Sequence, residues 1–381
     1  MPNYEARLRA VQERMAAQGI DLLFLPRSAN LHYLTGIPRE EQNFGNTMYP
    51  GEWITGAWVA PGRAPILTVP RMLADFHLGS IAGYDVRVLF DSADPAALAR
   101  DVLDSLAVPQ QACIAVEERA WAETLLGLQR QRPQARLQSA SPIMRPLRLI
   151  KDEDELAIMR KAGQITEAAY RDTLPKLRHG MTTLDLIAEV NYQLKRHGST
   201  APSFVTSFYN MGASFPFAFH NREETMLLPL DPPVSVSFDF GAVYEGYCYD
   251  YGRSVFFGEP DEEYRRVHAL VMASQAAGIA ALRTGSTCEA ADAAARQVIV
   301  DGGYGPAFRH RLGHGIGMDV HEPPFLTAGD ATVLAEGMCF TVEPSIFMPH
   351  QLGCRVEDVV VVRAGGGEAL TSGFQSLHVV A

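Results

Sequence analysis

Five side chains in the C-terminal part of the chain have the types and spacing of a metal site. They are Asp239, Asp250, His314, Glu343 and Glu357. Carboxylates that converge inside a protein repel one another and resist ionisation unless a cation lies between them. Four carboxylates and one neutral imidazole carry four negative charges, which balance two divalent ions. Because the donors are mostly oxygen with one histidine, they suit Mn²⁺, Co²⁺ or Zn²⁺ better than a soft metal.

The alternation of side chains predicts that strands carry these acids. In residues 234–240, serine residues and Asp239 fall on one face and apolar residues on the other. A Glu-Gly turn then leads into residues 247–257, which we expect to form the returning strand with Asp250 on it. The sequence thus predicts a hairpin with one carboxylate on each arm.

The same alternation assigns the two glutamates to strands. Glu343 falls on the polar face of residues 338–343, opposite three apolar side chains. Glu357 shares a face with Arg355 in a second apolar-rich segment. His314 lies in a glycine-rich stretch, where the backbone can approach a site closely. All four acids are therefore expected to project from strands onto polar faces.

An internal repeat indicates how these strands meet. Residues 177–182 (LRHGMT) recur as residues 282–287 (LRTGST), an offset of 105. Each copy follows one predicted helix and opens another, with Thr182 or Thr183 and Ser286 as expected N-caps. The same offset carries the two aspartates to positions beside the two glutamates. We therefore expect two similar halves that face a shared central site.

The N-terminal part has a different pattern. A helix over residues 4–18 and a buried strand over residues 21–26 open an alternation of helices and strands that continues to about residue 140. Residues 141–149 contain two prolines and are expected to form a linker into a long amphipathic helix that begins near Asp152. The domain boundary is therefore predicted near residue 145.

Four segments together resemble the signature of the pita-bread metallopeptidases, which include proline dipeptidases, aminopeptidase P and methionine aminopeptidases. Residues 28–36 (SANLHYLTG) also resemble the additional N-terminal domain of creatinase, proline dipeptidase and aminopeptidase P. The resemblance implies an α/β creatinase-like domain over residues 1–145. It further implies an α+β pita-bread catalytic domain over residues 146–381, with a pseudo-two-fold internal repeat. The four segments are DFGAVYEGYCYDYGRS (239–254), GHGIGMDVHEPP (313–324), EGMCFTVEPSIF (336–347) and GCRVEDVVVV (353–362).

The resemblance also implies roles for the candidate residues in the hydrolysis of Xaa-Pro peptides. Two ions so held can lower the pKa of water and polarise the scissile carbonyl. Asp239 would bind one ion, Asp250 and Glu357 would bridge both, and His314 and Glu343 would complete the coordination of the second ion. Glu343 would also carry the proton to the leaving nitrogen. The remaining implied catalytic residues are His220 and His321, as hydrogen-bond donors to the carbonyl, and Arg355, which would orient Glu357 or a substrate group.

One departure from the family pattern keeps the substrate class open. Proline dipeptidases commonly carry an arginine shortly after the second histidine, but here His321 is followed by Glu-Pro-Pro-Phe. A cation for a dipeptide's carboxylate could instead come from Arg355, from the N-terminal domain or from a partner subunit. A Xaa-Pro dipeptidase is the leading interpretation. The alternatives are an aminopeptidase P that acts on longer peptides, a metal-dependent creatinase-like hydrolase of a small metabolite, and a noncatalytic binding module.

Composition and charge limit which partners and which location we expect for the protein. A net charge of −11 and a pI near 5.5 argue against a nucleic-acid partner, because that affinity depends on clustered Lys and Arg. The longest apolar run, residues 269–282, is too short to span a bilayer, and the first residues are charged rather than apolar. We expect a cytoplasmic protein, and the resemblance implies a homodimer. His179, His197 and His310 are expected to be surface or capping residues.

Overall fold

The computed structural model describes residues 3–39, 49–76, 84–213, 215, 225–371 and 373–381. The chain divides into two compact units, Met1–Arg148 and Leu149–Ala381. Within the described part of the chain, no helix combines the length and the apolar character needed to cross a bilayer. The two units have different architectures, as the two sequence patterns predict.

The first unit contains a mixed six-stranded sheet in the order β4-β3-β2-β1-β5-β6. The central strand β1 pairs antiparallel with β2 and parallel with β5, and its four residues are all buried. Helices pack on this sheet around a core that includes Phe24 and Trp58, whose rings meet edge to face. The strands are β1 Leu22–Leu25, β2 Gly56–Val59, β3 Ile66–Pro70, β4 Asp85–Leu89, β5 Cys113–Val116 and β6 Arg136–Ser139. The helices are α1 Tyr4–Ala17, α2 Ala29–Thr35, α3 Arg71–Phe76, α4 Pro95–Ser105, α5 Ala122–Gln131 and α6 Ser141–Leu149, with a 3₁₀ turn at Glu52–Ile54.

The expected linker at residues 141–149 is wrong, because this segment is helix α6. Pro142 lies in the first turn, where a missing N–H costs nothing, whereas Pro146 forfeits one helical hydrogen bond. Ile143 and Met144 are fully buried, and this burial offsets the lost bond. Proline content alone therefore misidentified a packed helix.

The first half of the second unit begins with two helices and continues into a four-stranded sheet in the order β19-β11-β8-β7. Asp152 caps α7 with a reciprocal capping box to Glu155, as its position before the amphipathic pattern predicts. These elements are α7 Glu153–Thr173, a 3₁₀ turn at Leu174–Lys176, α8 Thr183–Arg196, β7 Ser207–Met211, β8 Val234–Phe240, β9 Val243–Tyr244, β10 Tyr247–Cys248, β11 Tyr251–Phe257 and β19 His378–Val380.

The second half repeats this plan with two helices and a five-stranded sheet in the order β13-β12-β14-β17-β18. Its core contains Phe340, Val342 and Val360, all fully buried. A separate hairpin of β15 and β16 contacts β8 and β11 of the first half. The elements are α9 Glu262–Ala281, α10 Cys288–Asp301, a 3₁₀ turn at Gly305–Ala307, β12 Gly313–Gly315, β13 Glu322–Leu326, β14 Cys339–Val342, β15 Ser345–Met348, β16 Leu352–Arg355, β17 Asp358–Val361 and β18 Glu368–Ala369.

The backbone confirms the repeat that the sequence predicts. Thr182 caps α8, and its counterpart 105 residues later, Thr287, caps α10. The expected cap Ser286 is wrong, because the side chain that accepts a hydrogen bond from the Ala290 amide is that of Thr287. The glycines before the two caps both adopt positive φ, which favours glycine at this turn.

Candidate metal centre

The two aspartates come from the first half of the repeat. Asp239 is the penultimate residue of β8 and lies opposite Ser207 of β7 and Gly252 of β11. Because β8 is held on both edges, the direction of the Asp239 side chain is fixed by the pleat. The side chain is only 7% exposed and lines a cavity.

Asp250 lies outside a strand, which corrects the expectation of one continuous strand over residues 247–257. The chain first forms β10, which pairs with β9 in a tight hairpin, and then leaves the ladder for two residues before β11. In that interval the Tyr249 amide donates to the Ala242 carbonyl, so the backbone turns away from β8. The irregular backbone directs Asp250 into the protein, where it is 3% exposed.

The histidine and both glutamates come from the second half. His314 lies in β12 at a register shift, and its amide donates to Thr341 Oγ1 at 3.0 Å. Glu343 directly follows β14, and Glu357 directly precedes β17. The expectation that all four acids project from within strands is therefore wrong: Asp239 alone does, and the other three lie where strands begin or end. At such positions the backbone is free of the pleat and can turn a side chain toward a common centre.

A close backbone contact joins the two halves at this centre. The amide of Glu357 donates to the Gly252 carbonyl at 2.9 Å, and the Gly252 amide donates to the Glu357 carbonyl at 3.3 Å. A Cβ on Gly252 would lie 3.0 Å from the Glu357 Cβ and 3.1 Å from its Oε2. Glycine at position 252 thus allows the two halves to approach at the candidate site.

The ring of His314 is oriented so that one nitrogen faces the acids. Its Nδ1 lies 3.1 Å from the Gly315 carbonyl, which requires a proton on that nitrogen for a hydrogen bond. Its Nε2 then carries the lone pair, 3.4 Å from Glu343 Oε1 and 3.7 Å from Asp250 Oδ2. Burial lowers the pKa of His314 to about 4, so the ring is neutral near pH 7 and suited to bind a metal.

Arg355 contacts three of the acids. Its guanidinium lies 3.0 Å from Asp239 Oδ2 and 2.9 Å from Glu357 Oε2, and it also donates to Glu343 Oε2. Burial raises the pKa of Glu343, but Arg355 and His314 together lower it below its ordinary value. One buried cation therefore holds part of the acidic cluster in place.

Two other carboxylate oxygens in the centre have no hydrogen bond. Asp250 Oδ1 and Glu357 Oε1 are buried without a donor, although nearly all buried polar atoms are paired in proteins. Burial raises the pKa of both carboxyls well above the usual range, which marks them as costly to ionise without a cation. Ligand atoms of Asp250, His314 and Glu357 all lie within 4.8 Å of one another. The unpaired oxygens and the donor types fit a divalent metal ion.

The remaining predicted site residues have different outcomes. The ring of His321 packs edge to face on His314 with centroids 4.1 Å apart, and it lies at the exposed side of the site. His220 lies outside the described residues. The structure thus brings the five predicted metal ligands together with His321 and Arg355.

Sequence reasoning missed one side of the site. His310 was expected at the surface, but its Nε2 lies 2.6 Å from Ser345 Oγ, and its Nδ1 lies 2.7 Å from the Arg311 carbonyl. This pairing could not be predicted from local spacing in the sequence, because Ser345 is 35 residues away from His310. His310, Arg309 and Arg311 line the same cavity of about 470 Å³ as the acids. Its other lining residues include Phe204, Ser207, Tyr209, Val320 and Phe347.

This chain is similar to known proteins in sequence and in fold. An Xaa-Pro dipeptidase from Lactobacillus delbrueckii subsp. lactis is 30% identical over 374 residues, which cover 98% of both chains. The structure of a prolidase from Thermococcus sibiricus matches with a TM-score of 0.88 and 26% identity over 99% of both chains. An X-Pro aminopeptidase from Thermotoga maritima matches with a TM-score of 0.82 and 26% identity, covering 96% of this chain and all of that one.

Family models account for both units. The model of the creatinase/prolidase N-terminal domain matches residues 7–150. The model of metallopeptidase family M24 matches residues 157–364, the part that contains every candidate metal ligand. Family membership implies a divalent metal, in agreement with the unpaired buried oxygens. The chain belongs to metallopeptidase family M24.

Proposed function

We propose that this protein hydrolyses Xaa-Pro dipeptides with the help of two divalent ions held by Asp239, Asp250, His314, Glu343 and Glu357. The observation that carries the proposal is the buried cluster itself, in which carboxylate oxygens from both halves lack hydrogen-bond donors. The similarity to an Xaa-Pro dipeptidase over 98% of the chain supports the substrate class. When bound, the ions would activate water and polarise the scissile carbonyl.

The side chains around the cluster can perform the proton transfers of this reaction. Glu343 faces the centre through both oxygens, and Thr341 holds its Oε1 with a hydrogen bond of 3.0 Å. Held in this way, Glu343 can accept a proton from the attacking water and deliver it to the leaving proline nitrogen. The pKa of Glu343, which Arg355 and His314 lower, keeps it ionised and ready to accept.

His321 is the proposed hydrogen-bond donor to the developing oxyanion. It lies on the cavity wall in contact with His314. A donor fixed beside the reacting carbonyl stabilises charge that develops only in the transition state, and so it raises the rate rather than the affinity. Arg355 serves as a positioning residue, since its guanidinium is already paired with three acids.

Peptides of two lengths test the substrate class. With Mn²⁺ added, purified protein is expected to release proline from Xaa-Pro dipeptides and to leave Xaa-Pro-Xaa tripeptides intact. An aminopeptidase would cleave the tripeptides, and the fold shared with the T. maritima X-Pro aminopeptidase makes it the second candidate. Absence of cleavage of any Xaa-Pro peptide in the presence of Mn²⁺ or Co²⁺ would contradict both.

The number and kind of ions are part of the same proposal. The charges of the five donors balance two divalent ions, and the preference of oxygen donors favours Mn²⁺. Elemental analysis of protein purified without chelators is expected to give about two ions per chain by this charge balance. A value of one, or a soft metal such as Cu, would contradict this assignment.

Assembly and location complete the proposal. The resemblance of the first unit to creatinase-like domains supports a homodimer, which light scattering of the purified protein would test. We extend the proposal to a cytoplasmic location, in keeping with the acidic composition and the net charge of −11. Cell fractionation that placed the protein in a membrane or outside the cell would contradict it.

A further inference from the structure

The cavity beside the metal centre is lined by both acidic and basic side chains. Asp239, Asp250 and Glu343 line it together with Arg309 and Arg311, which come from the segment just before His314. A pair of divalent ions would neutralise the acids. The positive charge of the two arginines would then remain available to a substrate anion.

Of the three arginines that line the cavity, Arg311 has the fewest polar contacts with other residues that the structure describes. The guanidinium lies over the Phe325 ring, 4.9 Å from its centroid, and its Nε is buried without a hydrogen-bond partner. Among the residues that the structure describes, no carboxylate forms an ion pair with it. Arg309, in contrast, is exposed and donates from its Nε to the Phe347 carbonyl at 3.3 Å.

Arg355 cannot take this role, although the sequence suggested it. Its guanidinium forms ion pairs with Asp239, Glu343 and Glu357, so binding a substrate anion would require breaking them. Removing a buried partner from such a cluster is costly. Within the described part of the chain, Arg311 has no such ion pair to lose.

The position of Arg311 suits the geometry of a dipeptide. Arg311 lines the same cavity as His321, the proposed oxyanion donor, and precedes His314 by three residues. In an Xaa-Pro dipeptide, three bonds join the scissile carbonyl carbon to the terminal carboxylate carbon, so they lie no more than about 4 Å apart. A cation that binds this carboxylate must therefore lie directly beside the reacting carbonyl.

We propose that Arg311 binds the free C-terminal carboxylate of the dipeptide and thereby sets the length of the substrate. This inference rests on the proposed dipeptidase function. The planar guanidinium can donate two parallel hydrogen bonds to the carboxylate, and the Phe325 ring holds its plane. A tripeptide has a neutral amide at this place, which cannot replace the anion.

The test compares a dipeptide acid with the same dipeptide as its C-terminal amide. In the wild-type protein with Mn²⁺, kcat/KM for the acid is expected to exceed that for the amide. Arg311→Gln is expected to raise KM for the acid by about tenfold to one-hundredfold, the range for a lost charge-assisted pair, and to leave the amide nearly unchanged. Arg311→Lys is expected to give an intermediate acid preference, since lysine keeps the charge but lacks the two parallel donors of the guanidinium.

Two controls separate binding from structure. Arg265→Gln removes the same charge from an exposed side chain of α9, and it is expected to keep the wild-type acid preference. Bound metal in Arg311→Gln, measured by elemental analysis, is expected to equal that of the wild type. The ratio of acid to amide activity is measured within each variant. A smaller fraction of active protein lowers both activities by the same factor and leaves this ratio unchanged.

The outcomes are distinct. If Arg311→Gln keeps the acid preference, or loses acid and amide activity equally, Arg311 does not bind the carboxylate, and the dipeptidase function stands. If the wild type cleaves the amide and the acid with equal kcat/KM, there is no carboxylate subsite and the inference is overturned. If the wild type cleaves neither, the proposed function fails, and the role of Arg311 fails with it.

Discussion

At the scale of single residues, the candidate ligands could be singled out because charged side chains stand out in largely apolar segments. Asp239 lies within a buried strand and Glu343 directly follows one, so both were candidate site residues before the fold was known. His310 and Arg311 gave no such signal. His310 pairs with Ser345 far along the chain, and Arg311 has no ion pair with any residue that the structure describes, so only the folded structure assigns the two to the cavity.

Replacement of Glu343 tests the proton-transfer role. We expect Glu343→Gln to lower kcat by at least about 100-fold, because the amide cannot accept a proton from water. The matched control is Glu336→Gln, seven residues earlier in the same segment, whose side chain is 60% exposed. Steady-state kinetics with metal analysis of both variants would check this, and a Glu343→Gln enzyme of wild-type rate would refute the assignment.

Replacement of Arg355 tests how the acidic cluster is stabilised. In metal-free protein, Arg355→Met leaves three buried carboxylates without their cation, and we expect a loss of about 3–5 kcal/mol in the free energy of unfolding. Added Mn²⁺ should restore part of this loss by supplying positive charge. Arg265→Met, which breaks an exposed pair with Glu259, should cost no more than about 1 kcal/mol in the same denaturant titrations. Equal losses in the two variants would contradict the account.

At the scale of secondary structure, the sequence predicted which helices and strands exist better than it predicted where they begin and end. The buried strand Leu22–Leu25 and the start of α7 at Asp152 were predicted from local pattern alone. The break before β11 was missed, because it depends on a hydrogen bond from Tyr249 to Ala242, a contact that alternation does not encode. Such breaks occur at three of the four acids, where the site needs irregular backbone.

The contact between β11 and Glu357 gives a prediction at this scale. Gly252→Ala should force Glu357 to move by a few tenths of an ångström, because the added Cβ would lie 3.1 Å from its Oε2. We expect metal affinity to fall by about tenfold, as when support behind a ligand is lost. Gly365→Ala is the control, since its Cβ would have nothing within 4 Å. Calorimetric titration with Mn²⁺ compares them, and unchanged affinity in Gly252→Ala would show that the contact is not needed.

At the scale of the whole molecule, the six-residue repeat predicted the architecture of the second unit. Thr182 and Thr287 occupy equivalent caps, and each half contributes two acids to the centre. The sequence could not predict which residues of each half face the cavity. That depends on how two sheets approach, which is set by contacts such as the one between Gly252 and Glu357.

Metal binding should reverse the effect of pH on the stability of the molecule. Burial raises the pKa of Asp250 and Glu357 in the metal-free protein, so their contribution is present at low pH and is lost as pH rises through the folded-state pKa. A bound ion favours the ionised forms and lowers these pKa values. Their contribution is then present at higher pH and lost as pH falls.

Calorimetry can measure this reversal. The difference in Tm between metal-loaded and metal-free protein should grow as the buffer is changed from about pH 5 to about pH 8. A difference that stays constant across this range would contradict the raised pKa values of the two carboxyls. Binding of the ion should also release protons, which titration in buffers of different ionisation enthalpy would detect.

The paired backbone hydrogen bonds between Gly252 and Glu357 have a consequence for the catalytic cycle. They cross the seam between the halves at the place where the acids from both sides meet. A hinge opening along this seam would separate the proposed metal ligands of one half from those of the other. We therefore expect peptides to reach the site from its exposed side, where His321 lies, while the two halves stay together.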